Sequence, residues 1–271
     1  MPLSYAAVMP HGDALIPGIG SPANGHPRLT EAMRETAGLA VQAELDALVI
    51  ADPHGIGLDR LHSLTFGASA AGTLGHLSME LAIDRSLAEQ ILNTAVEDGL
   101  PLVGVSSEDE DAPLPMEWGT IVPAWFLGEK AKIPPVVIIC PSRSHGLDQL
   151  ARIGRLIARI AEASERRIGL VASADNAHAH LESGPYGFHP EAKRFDELVV
   201  KLTKEHDFGA YLEFEPELLE TALPDSPWQL AILAGAFEVV PFRTRKVTYE
   251  CPSYFGMMVA SFDRVSNGVV L

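Results

Sequence analysis

The chain has 271 residues, of which 47% are hydrophobic and 21% are charged, which is enough apolar material for a sizeable buried core. The 36 Asp and Glu outnumber the 20 Lys and Arg, and the net charge of −16 disfavours binding to nucleic acid or to an anionic membrane surface. Only 2 cysteines are present, which excludes a disulfide framework and a four-cysteine zinc site.

The chain up to Ser173 alternates short apolar runs with helical patterns. Continuous apolar runs predict strands that are buried on both faces at Tyr5–Met9, Ala47–Ala51, Leu102–Val105, Val136–Cys140 and Ile168–Ser173. Good helix formers and apolar residues at three- and four-residue spacing predict helices at Leu29–Leu48, Arg85–Leu100 and Leu147–Ala163. This alternation predicts an α/β fold with a mostly parallel central sheet flanked by helices.

The remainder of the chain has a different pattern. Further helices are predicted at Glu191–His206, Pro216–Leu223 and Trp228–Phe237, followed by antiparallel strands at Phe242–Tyr249 and Tyr254–Phe262. Because no internal repeat and no low-complexity linker interrupts the sequence, we expect one domain over residues 1–271. The sequence shows neither a signal-peptide pattern nor an apolar run of ~20 residues, so we expect a cytoplasmic protein that does not enter the membrane.

Histidines follow three of the predicted strands. His11 comes after the first strand, His54 after the second and His178 after the fifth, the first two each in a Pro-His-Gly sequence. Ligands of open α/β sheets bind at the carboxyl ends of the strands, where these residues are expected to meet. Imidazole binds transition metals and titrates near neutral pH. The pattern therefore favours a site with two histidine ligands and a histidine base, although any one of the three could be an ordinary loop residue.

A carboxylate would complete a triad of two histidines and one carboxylate, the pattern of non-haem Fe(II) sites. Asp225 and Glu220 are the two main candidates in the C-terminal third. Asp225 stands in a Pro-Asp-Ser-Pro turn, where it could equally cap the helix that follows. Glu220 lies in a short charged helix, where it could equally be a solvated surface residue.

Motifs along nearly the whole chain resemble one known family, the class III extradiol ring-cleaving dioxygenases of the LigB type. The similar segments are VMPHG (8–12), LVIADPHG (48–55), MEWGTIVPAWFL (116–127), VVIICPS (136–142), ASADNAH (172–178), LAILAGAF (230–237) and YECPSYFGMMVASF (249–262). Each motif is short, but their order and spacing together are specific.

The resemblance implies roles for the strand-end residues. His11 and His54 match the two histidine ligands of Fe(II), and His178 matches the histidine of the family that acts as acid and base. The third ligand of the family is a Glu just ahead of the apolar helix. This chain has Asp225 in that place, which we expect to take the role, with Glu220 as the second choice.

Two further residues are expected to bind substrate. Glu117 stands where some family members have another histidine, and it is expected either to contact substrate or to be a buried hydrogen-bonding group. His180 lies two residues beyond His178, so it shares a face with His178 if that stretch is extended.

The implied function is a non-haem Fe(II)-dependent extradiol dioxygenase that cleaves the ring of a catecholic or aminophenolic compound with O2. The implied partners are the small aromatic substrate and O2, with a homo-oligomer or a second subunit left open. Two other functions remain possible at this point. The chain could be a catalytically silent, Memo-like metal-binding or interaction protein, or a zinc-dependent hydrolase that uses the same ligands.

Overall fold

A computed structural model describes residues 3–20, 26–109, 112–266 and 269–270. Its strands are β1 (Leu3–Met9), β2 (Ala47–Ala51), β3 (His62–Thr65), β4 (Ser69–Leu74), β5 (Leu77–Ala82), β6 (Leu102–Val105), β7 (Leu114–Pro115), β8 (Val136–Cys140), β9 (Ile168–Ser173), β10 (Phe242–Glu250), β11 (Met257–Ser266) and β12 (Val269–Val270). Its α-helices are α1 (Pro27–Gln42), α2 (Arg85–Glu97), α3 (Trp118–Gly128), α4 (Leu147–Ala163), α5 (Glu191–Glu205), α6 (Pro216–Ala222) and α7 (Pro227–Val239).

The large sheet has the strand order β10-β11-β1-β9-β2-β8-β3-β6, with β12 paired to β11. Its four central strands, β1, β9, β2 and β8, are mutually parallel, whereas β11 pairs antiparallel with both β1 and β10. A separate small sheet has the order β5-β4-β7. The predicted α/β class, with a mostly parallel sheet and C-terminal antiparallel strands, is confirmed.

Helices cover both faces of the large sheet, which explains the continuous apolar runs of its central strands. In β2, Val49 packs with the core cluster that contains residues of α2, α4 and α7, whereas its neighbours Leu48 and Ile50 pack with the cluster that contains residues of α1 and α3. Alternate side chains of one strand therefore enter different cores, and both sets must be apolar.

Helices α4 and α7 approach each other closely on one of these faces. A methyl group at Gly154 of α4 would overlap the main-chain carbonyl of Ile232, and one at Gly235 of α7 would overlap that of Ala151. The contact therefore depends on glycine in both helices. It places the start of α7, and the turn just before it, beside the carboxyl ends of the central strands.

Several predicted elements agree with the structure, and others need correction. Strands β2, β6, β8 and β9 and helix α4 have their predicted bounds. The first helix does not continue to Leu48, because it ends at Gln42 and the left-handed backbone of Glu44 turns the chain toward β2. The last long strand begins at Met257 rather than at Tyr254.

The sequence reasoning missed β3, β4, β5, β7 and helix α3. Strands β4 and β5 are half exposed and mix apolar with polar residues, so they carry no continuous apolar run. Helix α3 begins with Trp118 and Gly119 and contains Pro123, a residue that helices normally exclude from their interior. Among the described helices, none has the length and apolarity needed to cross a membrane.

Candidate metal centre

The register of the central strands brings four loops to one edge of the sheet. Met9 of β1 pairs with Ser173 of β9, and Ala51 of β2 pairs with both Ala172 of β9 and Ile139 of β8. The four parallel strands therefore end at the same level. The loops after β1, β2 and β9 carry the three histidines that were predicted for the site, and an arginine follows β8.

Two imidazoles and one carboxylate converge at this edge. The Nε2 atoms of His11 and His54 are 3.1 Å apart, and Oδ2 of Asp225 lies 3.3 Å from Nε2 of His54 and 3.7 Å from Nε2 of His11. One donor atom from each of the three residues lies within 4.8 Å of the other two. Two nitrogens and one carboxylate oxygen at this separation are the donors of a facial metal site, so the residues present fit a divalent transition metal.

The ring of His11 is oriented by a hydrogen bond on its far side. Its Nδ1 lies 3.0 Å from Oγ of Ser173, which donates its own proton to the carbonyl of Gly119 over 2.5 Å. Ser173 must therefore accept from Nδ1–H, which leaves the lone pair of Nε2 directed toward His54 and Asp225. Burial opposes the charged imidazolium, but Asp175 and Asp225 outweigh it and raise the pKa of His11, so a proton and a metal compete for Nε2.

The loop that carries His54 is held by a buried carboxylate. Asp52 accepts a hydrogen bond from the main-chain N–H of His54 over 2.8 Å and one from the hydroxyl of Thr120 over 2.6 Å. Desolvation raises the pKa of Asp52, while these hydrogen bonds work in the opposite direction. The imidazole of His54 also lies 4.4 Å from the ring of Trp118 at the start of α3. Helix α3, which the sequence reasoning missed, thus supports the His54 loop.

Asp225 occupies the turn immediately before α7. The N-cap of α7 is Ser226, and no side chain caps the helix by a hydrogen bond, so Asp225 does not act as its cap. Its Oδ1 accepts a hydrogen bond from Nη2 of Arg143, and its Oδ2 faces the histidines. Although burial opposes the charged carboxylate, the neighbouring imidazoles of His11 and His54 hold the pKa of Asp225 well below its usual range.

His178 lies beside this cluster, and one of its nitrogens is free to face it. Its Nδ1 donates to the main-chain carbonyl of Leu223 over 3.0 Å, and its Nε2 is 3.7 Å from Oδ2 of Asp225. Because a carbonyl can only accept, Nδ1 carries the proton and Nε2 presents a lone pair. The imidazole stacks on Phe255, with 5.3 Å between ring centroids and an interplanar angle of 13°.

The cluster forms one side of a cavity of about 530 Å³ with aromatic walls. Besides His11, His54, His178 and Asp225, its lining includes Trp118, Arg143, Asp175, Tyr186, Trp228, Tyr254 and Phe255. A cavity with flat apolar walls, a few polar groups and a candidate metal centre suits a small aromatic ligand.

Comparison with known proteins agrees with this geometry. The model of a protein family described as the catalytic LigB subunit of aromatic ring-opening dioxygenase matches residues 5–260. The chain belongs to this family.

Individual relatives of this LigB-family chain are distant. Protein CA_C1420 of Clostridium acetobutylicum is 22% identical over 98% of the chain, which spans only 59% of that relative's length. A 3,4-dihydroxyphenylacetate 2,3-dioxygenase of Escherichia coli is 22% identical over 72% of the chain and 71% of the enzyme. The crystal structure of uncharacterized protein JW3007 from Escherichia coli K12 has a TM-score of 0.64 at 19% identity, and the match covers 95% of this chain and 99% of that one.

The other predicted site residues of the LigB-family chain lie apart from the cluster. Glu220 is exposed on α6, and Glu117 is exposed just before α3. His180 donates from Nε2 to Asp196 over 2.8 Å, and the hydroxyl of Tyr249 donates to the same oxygen over 2.6 Å. None of the three predicted residues is among the described residues that line the cavity. The hydrogen bond to Asp196, followed by an interaction with Cys251, raises the pKa of His180 to about 9.

Arg143, Trp228, Tyr254 and Phe255 are site residues that the sequence reasoning missed. Arg143 follows β8, so extending the strand-end rule to a fourth strand would have found it. Trp228 lies in the first turn of the apolar helix α7, and Tyr254 and Phe255 lie outside regular elements. These aromatic residues have no spacing that marks them as neighbours of the histidines.

Proposed function

We propose that this chain is a non-haem Fe(II)-dependent extradiol dioxygenase that opens the ring of a catecholic or aminophenolic compound. The observation that carries the proposal is the convergence of His11, His54 and Asp225 beside an aromatic-walled cavity. Membership of the LigB family supports the reaction class, and a relative named as a 3,4-dihydroxyphenylacetate 2,3-dioxygenase supports a ring diol as substrate.

His11, His54 and Asp225 would hold the metal through Nε2, Nε2 and Oδ2. When bound, a ferrous ion supplies the coordination positions at which the two ring oxygens and O2 come together. Ser173 accepts from Nδ1–H of His11 and so orients Nε2 toward the other two donors, and Asp52 anchors the main chain of His54. These outer contacts preorganise the donor atoms, which supports metal binding without a large rearrangement of the loops.

His178 would move protons for the reaction. Its Nδ1–H is committed to the carbonyl of Leu223, so its Nε2 can accept a proton from a ring hydroxyl as the substrate binds and can return it later. Stacking on Phe255 keeps the ring of His178 in the orientation that points Nε2 toward Asp225.

The walls of the cavity would orient the substrate ring. Trp118 lies against His54 on one side, and Phe255 and Tyr254 lie beside His178 on another. Flat aromatic side chains favour offset or edge-to-face contact with an aromatic substrate. A single ring with its substituents fits a volume of about 530 Å³, and its two oxygens would then face the three donor residues.

The test is anaerobic reconstitution with Fe(II), followed by O2 uptake with catechol, 4-ethylcatechol, 3,4-dihydroxyphenylacetate and 2-aminophenol. We expect one O2 to be consumed for each ring opened. The product should contain both oxygen atoms of O2, with the ring broken beside the pair of substituted carbons rather than between them. Protein loaded with Zn(II) serves as the matched control and should consume no O2. Stoichiometric Fe(II) without O2 uptake would contradict the proposal, and ester or amide hydrolysis by the Zn(II) form would favour a hydrolase.

A further inference from the structure

Arg143 is the one lysine or arginine among the described residues that line the cavity. It shares the cavity with three carboxylates, Asp13, Asp175 and Asp225, in a chain of net charge −16. Arg143 is therefore the one permanently positive side chain in this lining that could attract a negative substituent of a ligand.

The guanidinium of Arg143 is held in place by two contacts. Its Nη2 donates to Oδ1 of Asp225, and its central carbon lies 4.8 Å from the centroid of the Trp228 ring. A cation over an indole face is attracted by the ring, and the two contacts together restrict the rotation of a long side chain. Arg143 therefore loses less conformational entropy on binding a ligand than a free surface arginine does.

This anchoring leaves donors unused. A guanidinium has five N–H groups, and within the described part of the chain Arg143 makes its one hydrogen bond through Nη2. The side chain is 52% exposed, so the remaining N–H groups can reach a ligand in the cavity. Two parallel N–H groups of a guanidinium match the two oxygens of a carboxylate.

We propose that Arg143 is an anion subsite and that the substrate is an aromatic ring diol or aminophenol bearing a carboxylate. The inference rests on the proposed function and adds the substituent that the cavity selects. Asp225 would hold one edge of the guanidinium while the substrate carboxylate occupies another. A neutral catechol would leave those N–H groups without an anionic partner, so it would bind more weakly than its carboxylate analogue.

The alternative role for Arg143 is to neutralise Asp225 without contacting substrate. In that role its removal weakens the metal site but affects charged and neutral ligands equally. The ratio of the dissociation constants for a charged and a neutral ligand distinguishes the two roles. A change in metal loading alters the amount of protein that can bind either ligand, so its effect cancels from the ratio.

The experiment measures anaerobic binding of 3,4-dihydroxyphenylacetate and of 4-ethylcatechol to the Zn(II)-loaded protein by calorimetry. The side chain of the first probe ends in a carboxylate, and that of the second ends in a methyl group. We expect the wild type to bind the carboxylate probe at least about tenfold more tightly, the usual effect of a charge-assisted hydrogen bond. Arg143→Gln should abolish this preference, and Arg143→Lys, which keeps the charge without the planar fork, should retain part of it. Arg60→Gln, at an exposed arginine outside the cavity lining, should leave the preference unchanged.

The possible outcomes distinguish failure of the inference from failure of the proposed function. Equal binding of the two probes by the wild type, or an unchanged preference in Arg143→Gln, overturns the anion subsite. If 4-ethylcatechol is bound and consumes O2 with the Fe(II) enzyme in such a case, the proposed function stands without the inference. If neither probe binds and neither supports O2 uptake, the proposed function fails and the inference fails with it.

Discussion

The Nε2 atoms of His11 and His54 lie 3.1 Å apart, although the two residues are separated by 43 positions in the chain. Two imidazole nitrogens so close together either share a proton or face a common cation. The carboxylate of Asp225 on the same side of both rings favours the cation.

We expect His54→Ala to lose most of its bound metal with a small change in stability. His54 is partly exposed in a loop, so its removal costs little packing. His11→Ala should lose the metal and also about 1–3 kcal/mol of unfolding free energy, because buried Asp175 loses a partner 3.3 Å away. Metal content by mass spectrometry and urea unfolding measure the two effects. His76→Ala, at an exposed turn, is the control, and stoichiometric metal in His54→Ala would remove His54 from the ligand set.

Asp225→Asn should abolish metal binding, whereas Glu220→Gln should keep it. Asp225 places Oδ2 beside both histidines, while Glu220 is exposed on α6. Metal content and O2 uptake of both variants, measured side by side, provide the comparison. Loss confined to Glu220→Gln would transfer the ligand role to that residue, and full metal content in both variants would argue against a carboxylate ligand from this segment.

His178→Ala should keep its metal and lose about 10²–10⁴-fold in turnover, the usual contribution of a general acid or base. The side chain stands beside the three donor residues, with Nε2 3.7 Å from Asp225. Steady-state kinetics on protein of verified metal content is the measurement. Loss of the metal instead would mean that His178 is itself a ligand.

Gly119→Ala should lower the unfolding free energy by about 1–3 kcal/mol, the usual cost of forcing extra volume into a packed site. A methyl group at Gly119 would overlap the carboxylate of Asp52, which anchors the His54 loop. Metal affinity should fall together with stability. Gly128→Ala in the same helix is the matched control, because its methyl group would only touch Ile133 at 3.4 Å. Equal melting temperatures for the two variants would contradict this account of the loop.

Stability should depend on pH through His180. Its folded-state pKa is raised to about 9 by Asp196 and then Cys251, whereas the unfolded value is ~6.5. A raised pKa means that the charged pair stabilises the fold fully below about pH 6.5, and that this contribution is lost as the pH rises through about 9. Metal-free wild type should therefore exceed His180→Gln in unfolding free energy at pH 6, and the difference should shrink toward pH 10. A difference that is constant between these pH values would show that the pair contributes no charge-dependent stability.

Much of the fold could be predicted from local sequence. The continuous apolar runs of β2, β8 and β9 mark strands covered on both faces, and their bounds were predicted without error because burial on both sides favours an unbroken run of apolar residues. Strands β4 and β5 and helix α3 could not be found in this way. The two strands are half exposed, and α3 owes its helical form to tertiary packing that overrides an internal proline.

The sequence by itself determined that histidines follow several strands of a parallel sheet, because the run of apolar residues and the residue after it are both local features. Only the tertiary structure decided which carboxylate meets them. Asp225 and Glu220 are five positions apart, and the packing of α7 against α4 turns the former toward the strand ends while the latter stays exposed. The pairing of Arg143 with Asp225 likewise joins residues 82 positions apart. Such contacts depend on strand order and register, which bring distant loops together and leave no local period in the sequence.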